Sequence, residues 1–177
     1  MQYTTTYSSP IGNIFLAADE IGLTGLWFDG GKFYAKSLAP EHEEKEVPLF
    51  NEAKHWLDLY FAGKNLGFLP PLHKIGSPFQ LSVWHILEQI PYGQTITYGE
   101  IARQIAASRG LKQMSAQAVG GAVGHNPISI MIPCHRVVGT NGSLTGYAGG
   151  IKKKMALLTL EGVRMDQLTI PTKGTAL

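Results

Sequence analysis

The chain has a single cysteine, Cys134, among 177 residues, which excludes an internal disulfide and any zinc site built from several cysteines. Charge is sparse too: Asp, Glu, Lys and Arg make up 16% of the chain, against about 25% in ordinary globular domains. No stretch approaches the ~18 consecutive apolar residues of a membrane helix, and the N-terminus is too polar for a secretory signal. These absences predict a cytoplasmic chain that enters no membrane, in a reducing compartment that leaves the thiol intact. No metal and no cofactor is expected. Disorder is excluded by what is present, namely 44% hydrophobic residues and three Trp. Glycine is abundant, at 21 residues.

Acid is missing from one half. Residues 1–75 hold six Lys/Arg against nine Asp/Glu, a net −3, whereas residues 76–177 hold nine against four, a net +5. Between positions 89 and 160 there are seven basic residues and one acid, Glu100. The overall +2 hides an asymmetry that fits an anionic partner for the second half.

Alternating, β-rich runs at 2–8, 13–18 and 22–28 predict a small antiparallel sheet, broken at Ser9-Pro10-Ile11-Gly12 and Asp19-Glu20. A charged stretch at 39–48 reads as a solvated linker. Apolar residues at helical spacing predict a helix over 48–63, stopped by Gly63, and an extended link over 65–76. Ser77-Pro78 opens a further helix that ends at Pro91-Tyr92-Gly93. Thr97 and Glu100 have capping-box spacing, and Ser115 caps a second short helix, 116–124, made of small residues. Gly120 and Gly121 inside it cost about 1 kcal/mol each relative to Ala. That cost implies close approach, either to another helix or to a phosphate backbone. Two short helices in a basic segment suggest a helix-turn-helix suited to DNA contact without sequence readout.

Ser129-Ile130-Met131-Ile132 reads as a buried strand running into Pro133-Cys134-His135-Arg136. A lone cysteine is usually a buried hydrophobe, but polar and cationic neighbours crowd this one. A thiol of pKa about 8.5 is roughly 3% ionised at pH 7, so a nucleophilic cysteine needs a base or cation beside it. On a strand, His135 would need a bend or a bridging water to reach Cys134. A third group should orient the imidazole; the candidates are Glu88, Glu100, Glu161 and Asp166, with Glu100 committed if its capping box forms.

Ile132-Pro133-Cys134-His135-Arg136-Val137 resembles the active-site signature of the O6-alkylguanine-DNA alkyltransferases. The resemblance extends in order and spacing through Thr97-Tyr98-Gly99-Glu100, Ala118-Val119-Gly120-Gly121, Asn126-Pro127, Gly146-Tyr147-Ala148 and Leu160-Glu161-Gly162. It implies an α/β fold of the α+β type. A ribonuclease-H-like sheet lobe with a helix would occupy 1–75, and a mostly helical DNA-binding and alkyl-transfer domain 76–162. A polar tail would cover 163–177.

By this resemblance, duplex DNA carrying O6-alkylguanine is the partner, and the chain is a monomer in the absence of DNA. The damaged base is flipped out, and Cys134 takes the alkyl group irreversibly; O4-alkylthymine is a second expected substrate. His135 is the implied base through a water, Glu161 its holder, Asn126 the residue ordering the turn, and Tyr98 the donor to the departing guanine. Ser115, Ala116, Gln117, Ala118, Gly120, Gly121 and Arg136 would face DNA. Tyr147, Ala148, Ser129, Val137 and Gly146 would line the pocket. Gln117 departs from the family, which usually has an arginine there to replace the flipped base. Two alternatives are a lesion-binding module without chemistry, like the alkyltransferase-like proteins, which lack the cysteine, and a cysteine hydrolase.

Overall fold

In a computed structural model describing residues 1–64 and 66–171, the chain folds into two units of the α+β type. The first comprises Met1–Ile75 with Pro127–Met131, and the second Gly76–Asn126 with Ile132–Leu177.

In the first unit, β1 (Gln2–Ser9), β2 (Gly12–Ala18) and β3 (Leu23–Phe28) form an antiparallel meander. Gly12, at φ 128, closes the tight turn between β1 and β2. The stretch at 39–48 is not all linker, because β4 (His42–Glu44) pairs in parallel with β1 at the sheet edge. Its exposed acids suit an edge that must not recruit another strand. On the opposite edge, Leu26 N–H donates to Pro127 O at 2.8 Å and Ser129 N–H to Leu26 O at 3.0 Å. Dividing the sequence at residue 75 therefore leaves Pro127–Met131 in the wrong unit. Helix α1 (Pro48–Phe61) packs Phe50, Ala53, Trp56, Leu57 and Tyr60 inward, and burial of a side chain the size of Phe50 or Leu57 contributes about 1.5–3 kcal/mol.

The second unit begins with α2 (Pro78–Glu88), α3 (Tyr98–Ser108) and α4 (Ala116–Gly124), which pack on one another. Ser77 and Thr97 both make complete capping boxes, and the Ser115 hydroxyl accepts from Ala118 N–H at 3.2 Å. The Trp84 indole, buried in α2, donates to Ala122 O of α4 at 2.8 Å. A two-residue parallel ladder joins β5 (Ile96–Thr97) to β6 (Val137–Val138), fixing the start of α3 beside the segment that follows Cys134.

Helix α5 (Ile151–Leu160) has no counterpart in the sequence reading. Its inward stripe contains Lys154 with Leu157 and Leu158, and a lysine at that position hides the apolar period. The expected tail is packed where it is described: Val163, Met165 and Leu168 cover a cluster of Val138, Leu144 and Leu158. Residues 172–177 and Asn65 lie outside the described residues. Among those described, no helix is long and apolar enough to cross a membrane.

Candidate active site

The expected strand at 129–132 does not form. Met131 N–H instead donates to Ser129 O at 2.8 Å across Ile130, whose φ of 69° a β-branched residue adopts only when its surroundings hold it. A second reversal follows, with Cys134 N–H donating to Ile132 O at 2.8 Å across Pro133. The Asn126 side-chain amide donates to Ile132 O at 2.7 Å, tying together the two ends of the Pro127–Met131 excursion. Cys134–Arg136 is then one turn of 3-10 helix, so the alternation that would separate Cys134 from His135 on a strand does not apply.

Cys134 is buried and His135 wholly so. His135 Nε2 lies 2.6 Å from Glu161 Oε2, and Glu161 is held there as the C-cap of α5. Of the other acids, Glu100 accepts from Thr97 N–H at 2.9 Å and Asp166 pairs with Arg164 at 2.8 Å. Arg136 Nε donates to Glu161 Oε1 at 2.7 Å and Nη2 to Oε2 at 3.1 Å; Gly93 N–H adds a bond to Oε1 at 3.0 Å. Burial alone would raise the Glu161 pKa, but the hydrogen bonds from His135 and Arg136 outweigh it and hold the carboxyl well below the usual carboxylate range. Burial lowers the His135 pKa below its ordinary value despite the pull of Glu161. His135 is thus a neutral imidazole, with the tautomer assigned from its bond to Glu161: Nε2–H donates to the carboxylate. Nδ1, buried and without a hydrogen-bond partner among the described residues, keeps its lone pair.

Arg136 corrects an expectation. The resemblance puts it at the DNA face, yet its guanidinium is buried, with Nη1 donating to Ile90 O at 2.7 Å and Nε and Nη2 committed to Glu161. A buried carboxylate beside a neutral imidazole requires a cation.

Tyr98, the first residue of α3, donates its hydroxyl to Thr145 O at 3.0 Å. Burial, and then the charge of Cys134, push this phenol well above its ordinary value, so it remains a donor. Lys154 is fully buried and donates to the same carbonyl at 2.9 Å and to Val137 O. Burial lowers its pKa to about 8, against the opposing pull of a Cys134 thiolate. Sequence reasoning missed Lys154; its one signal was its spacing from Leu157 and Leu158. Tyr147 is buried edge-on to His135, ring centres 6.5 Å apart. Gly146 stands at φ 79, where an added Cβ would come within 2.7 Å of the Tyr98 hydroxyl, and half-buried Ala148 continues that loop. Val137 is buried, and Ser129 belongs to the first unit.

On α4, Ser115, Ala116, Gln117, Ala118 and Gly121 are exposed and Gly120 is half-buried. A Cβ on Gly121 would meet nothing within 4 Å, and one on Gly120 would meet only Tyr98 Cδ1 at 4.0 Å. Helix–helix packing therefore does not account for these glycines. Among the described residues no group of three or more His, Cys, Asp or Glu could hold a metal ion.

Comparison with known proteins divides the chain between residues 73 and 78. Residues 78–163 match the model of the 6-O-methylguanine DNA methyltransferase DNA-binding domain, and residues 2–73 that of its ribonuclease-like domain. A methylated-DNA–protein-cysteine methyltransferase of Methanosarcina acetivorans is 46% identical over 160 residues, covering 90% of this chain and 98% of the relative. One from Haemophilus influenzae is 38% identical over 176 residues, covering 97% and 93%. The crystal structure of Mycobacterium tuberculosis OGT in complex with DNA superposes with a TM-score of 0.78 at 42% identity, covering 94% of each chain. With both domain models matched in order and close relatives aligned nearly end to end, the chain belongs to the 6-O-methylguanine DNA methyltransferase family.

Proposed function

We propose that this protein repairs DNA by moving the alkyl group of O6-alkylguanine onto Cys134, once per molecule. The observation that carries this reading is the 2.6 Å bond between His135 Nε2 and Glu161, which leaves His135 Nδ1 as a buried base on the residue next to Cys134.

His135 Nδ1 takes the Cys134 proton through a water, and the thiolate attacks the alkyl carbon. The S–C bond forms as the C–O6 bond breaks, and the electron pair leaves with the guanine. Tyr98 turns its hydroxyl from Thr145 O to the departing base and donates a hydrogen bond that offsets its charge while keeping its own proton; the proton the guanine finally gains is the one that left Cys134, held meanwhile by His135. The thioether has no leaving group suited to water, so the protein is consumed. Buried Lys154 offsets the thiolate charge through the reaction. Asn126 holds the reversal that presents Cys134.

An in-line attack on the alkyl carbon carried by O6 is impossible within the base stack, so the nucleotide must be flipped out. The small exposed surface of α4 fits against a minor groove, with Gln117 and Ala118 at the base step and Ser115, Ala116, Gly120 and Gly121 along the backbone. Tyr147, Ala148, Val137 and Gly146 are assigned to the pocket for the flipped base. O4-alkylthymine offers the same alkyl–oxygen electrophile and is included as substrate. We place the reaction in the cytoplasm, where a reducing environment keeps Cys134 a thiol.

The test is intact-mass measurement after incubation with duplex DNA carrying O6-methylguanine. A single methyl gain on the peptide containing Cys134, lost in Cys134→Ser, is expected. DNA binding without mass gain would instead identify a lesion-binding module, and repeated turnover would exclude both.

A further inference from the structure

The turn that follows α2 enters the site in a way the reaction scheme above does not use. Ile90 O accepts from Arg136 Nη1 at 2.7 Å, and the Tyr92 ring faces the guanidinium with its centre 5.7 Å from the central carbon. Gly93, at φ 79, donates its N–H to Glu161 Oε1 at 3.0 Å, and a Cβ there would lie 2.9 Å from the Glu161 carbonyl oxygen. One carboxylate thereby receives four donors: Arg136 Nε, Arg136 Nη2, His135 Nε2 and Gly93 N–H.

A guanidinium does not lose its proton in a protein. With His135 neutral, the buried group of Arg136, Glu161 and His135 sums to zero charge. With His135 protonated it carries a net positive charge largely withdrawn from water, at a cost that grows as the local dielectric falls. We infer that Arg136, clamped by the turn at 90–93, balances the charge of Glu161 and so keeps His135 an uncharged base. Arg136 is thus a positioning residue for alkyl transfer, and this inference rests on the alkyl-transfer reading. The other groups facing His135 divide by sign. Lys154 of α5 acts in the same direction as Arg136, Glu161 opposes it, a thiolate on neighbouring Cys134 would oppose it by its sign alone, and Tyr147, edge-on, adds no charge.

The test is an NMR titration of the His135 imidazole in the full-length protein, with single-turnover transfer rates measured from pH 5 to 9. In the wild type, His135 stays neutral to below the ordinary histidine midpoint of about 6.5. Arg136→Gln raises that midpoint by on the order of one to two pH units, so the rate at pH 6 drops about tenfold relative to pH 8. Arg136→Lys keeps the charge and returns the midpoint toward the wild-type value. A wild-type midpoint at or above 6.5 would overturn the inference without any variant, and so would an unmoved midpoint in folded Arg136→Gln. His135→Asn transferring at the wild-type rate would sink the base role alone and leave the titration result standing.

Discussion

Glu161 Oε2 stands 2.6 Å from His135 Nε2, and neither side chain has exposed surface. The carboxylate fixes the tautomer that leaves Nδ1 free to accept a proton, so Glu161→Gln should lower the transfer rate by about 100-fold or more. It should also change how stability depends on pH. A carboxyl held below its unfolded value of about 4.3 contributes stability that is present above that pH and disappears as pH falls toward the folded value. Thermal melts should therefore show Glu161→Gln less stable than wild type at pH 7, with the gap closing toward pH 3. A gap that persisted undiminished at pH 3 would mean that lost packing, not charge, sets the difference.

Lys154 is expected to act on the thiol through charge. Its ammonium is buried, bonds Thr145 O and Val137 O, and interacts with the Cys134 charge. Lys154→Met removes the cation and should raise the Cys134 pKa by roughly one unit, about a tenfold loss of thiolate at pH 7. The pH profile of alkylation by iodoacetamide reads that shift directly. An unchanged profile in a folded variant would confine Lys154 to loop anchoring.

Gly121 separates folding from function. An added methyl meets nothing within 4 Å, so Gly121→Ala should stabilise α4 by about 0.5–1 kcal/mol. The same methyl would stand between the helix and the groove, so duplex affinity should fall several-fold while melting temperature rises. Fluorescence anisotropy beside thermal melts checks both signs. Unchanged affinity would remove α4 from the DNA face.

How much of this was legible depended on whether the signal was local. Ser77-Pro78, the Thr97–Glu100 capping box and Ser115 mark helix starts through their own hydrogen bonds, so α2, α3 and α4 begin where the sequence places them. Glu161 lies 26 residues from His135 along the chain; spacing alone left it one of four acids, and only the resemblance singled it out. Ile130 looked like strand because it is apolar and β-branched, yet the pairing of its neighbours with Leu26 forces a reversal that no local preference favours. Arg136 goes to the DNA face by the resemblance alone. Its partner, Glu161, arrives from α5, a helix whose inward lysine concealed it.

Gln117 is exposed at the second position of α4, where the resemblance leads one to expect an arginine. A glutamine amide can donate to and accept from an orphaned cytosine, so the proposed flipping should survive it, but it neutralises no phosphate and is shorter than a guanidinium. Gln117→Arg should therefore tighten duplex binding and speed methyl transfer, each several-fold. It should also steepen the dependence of log affinity on log salt by up to about one. Because the side chain projects from an exposed helical position, folding stability should stay within about 0.5 kcal/mol of wild type. Anisotropy titrations at three salt concentrations and single-turnover rates test this together. If affinity, salt slope and rate all stay at wild-type values, Gln117 is not at the base step.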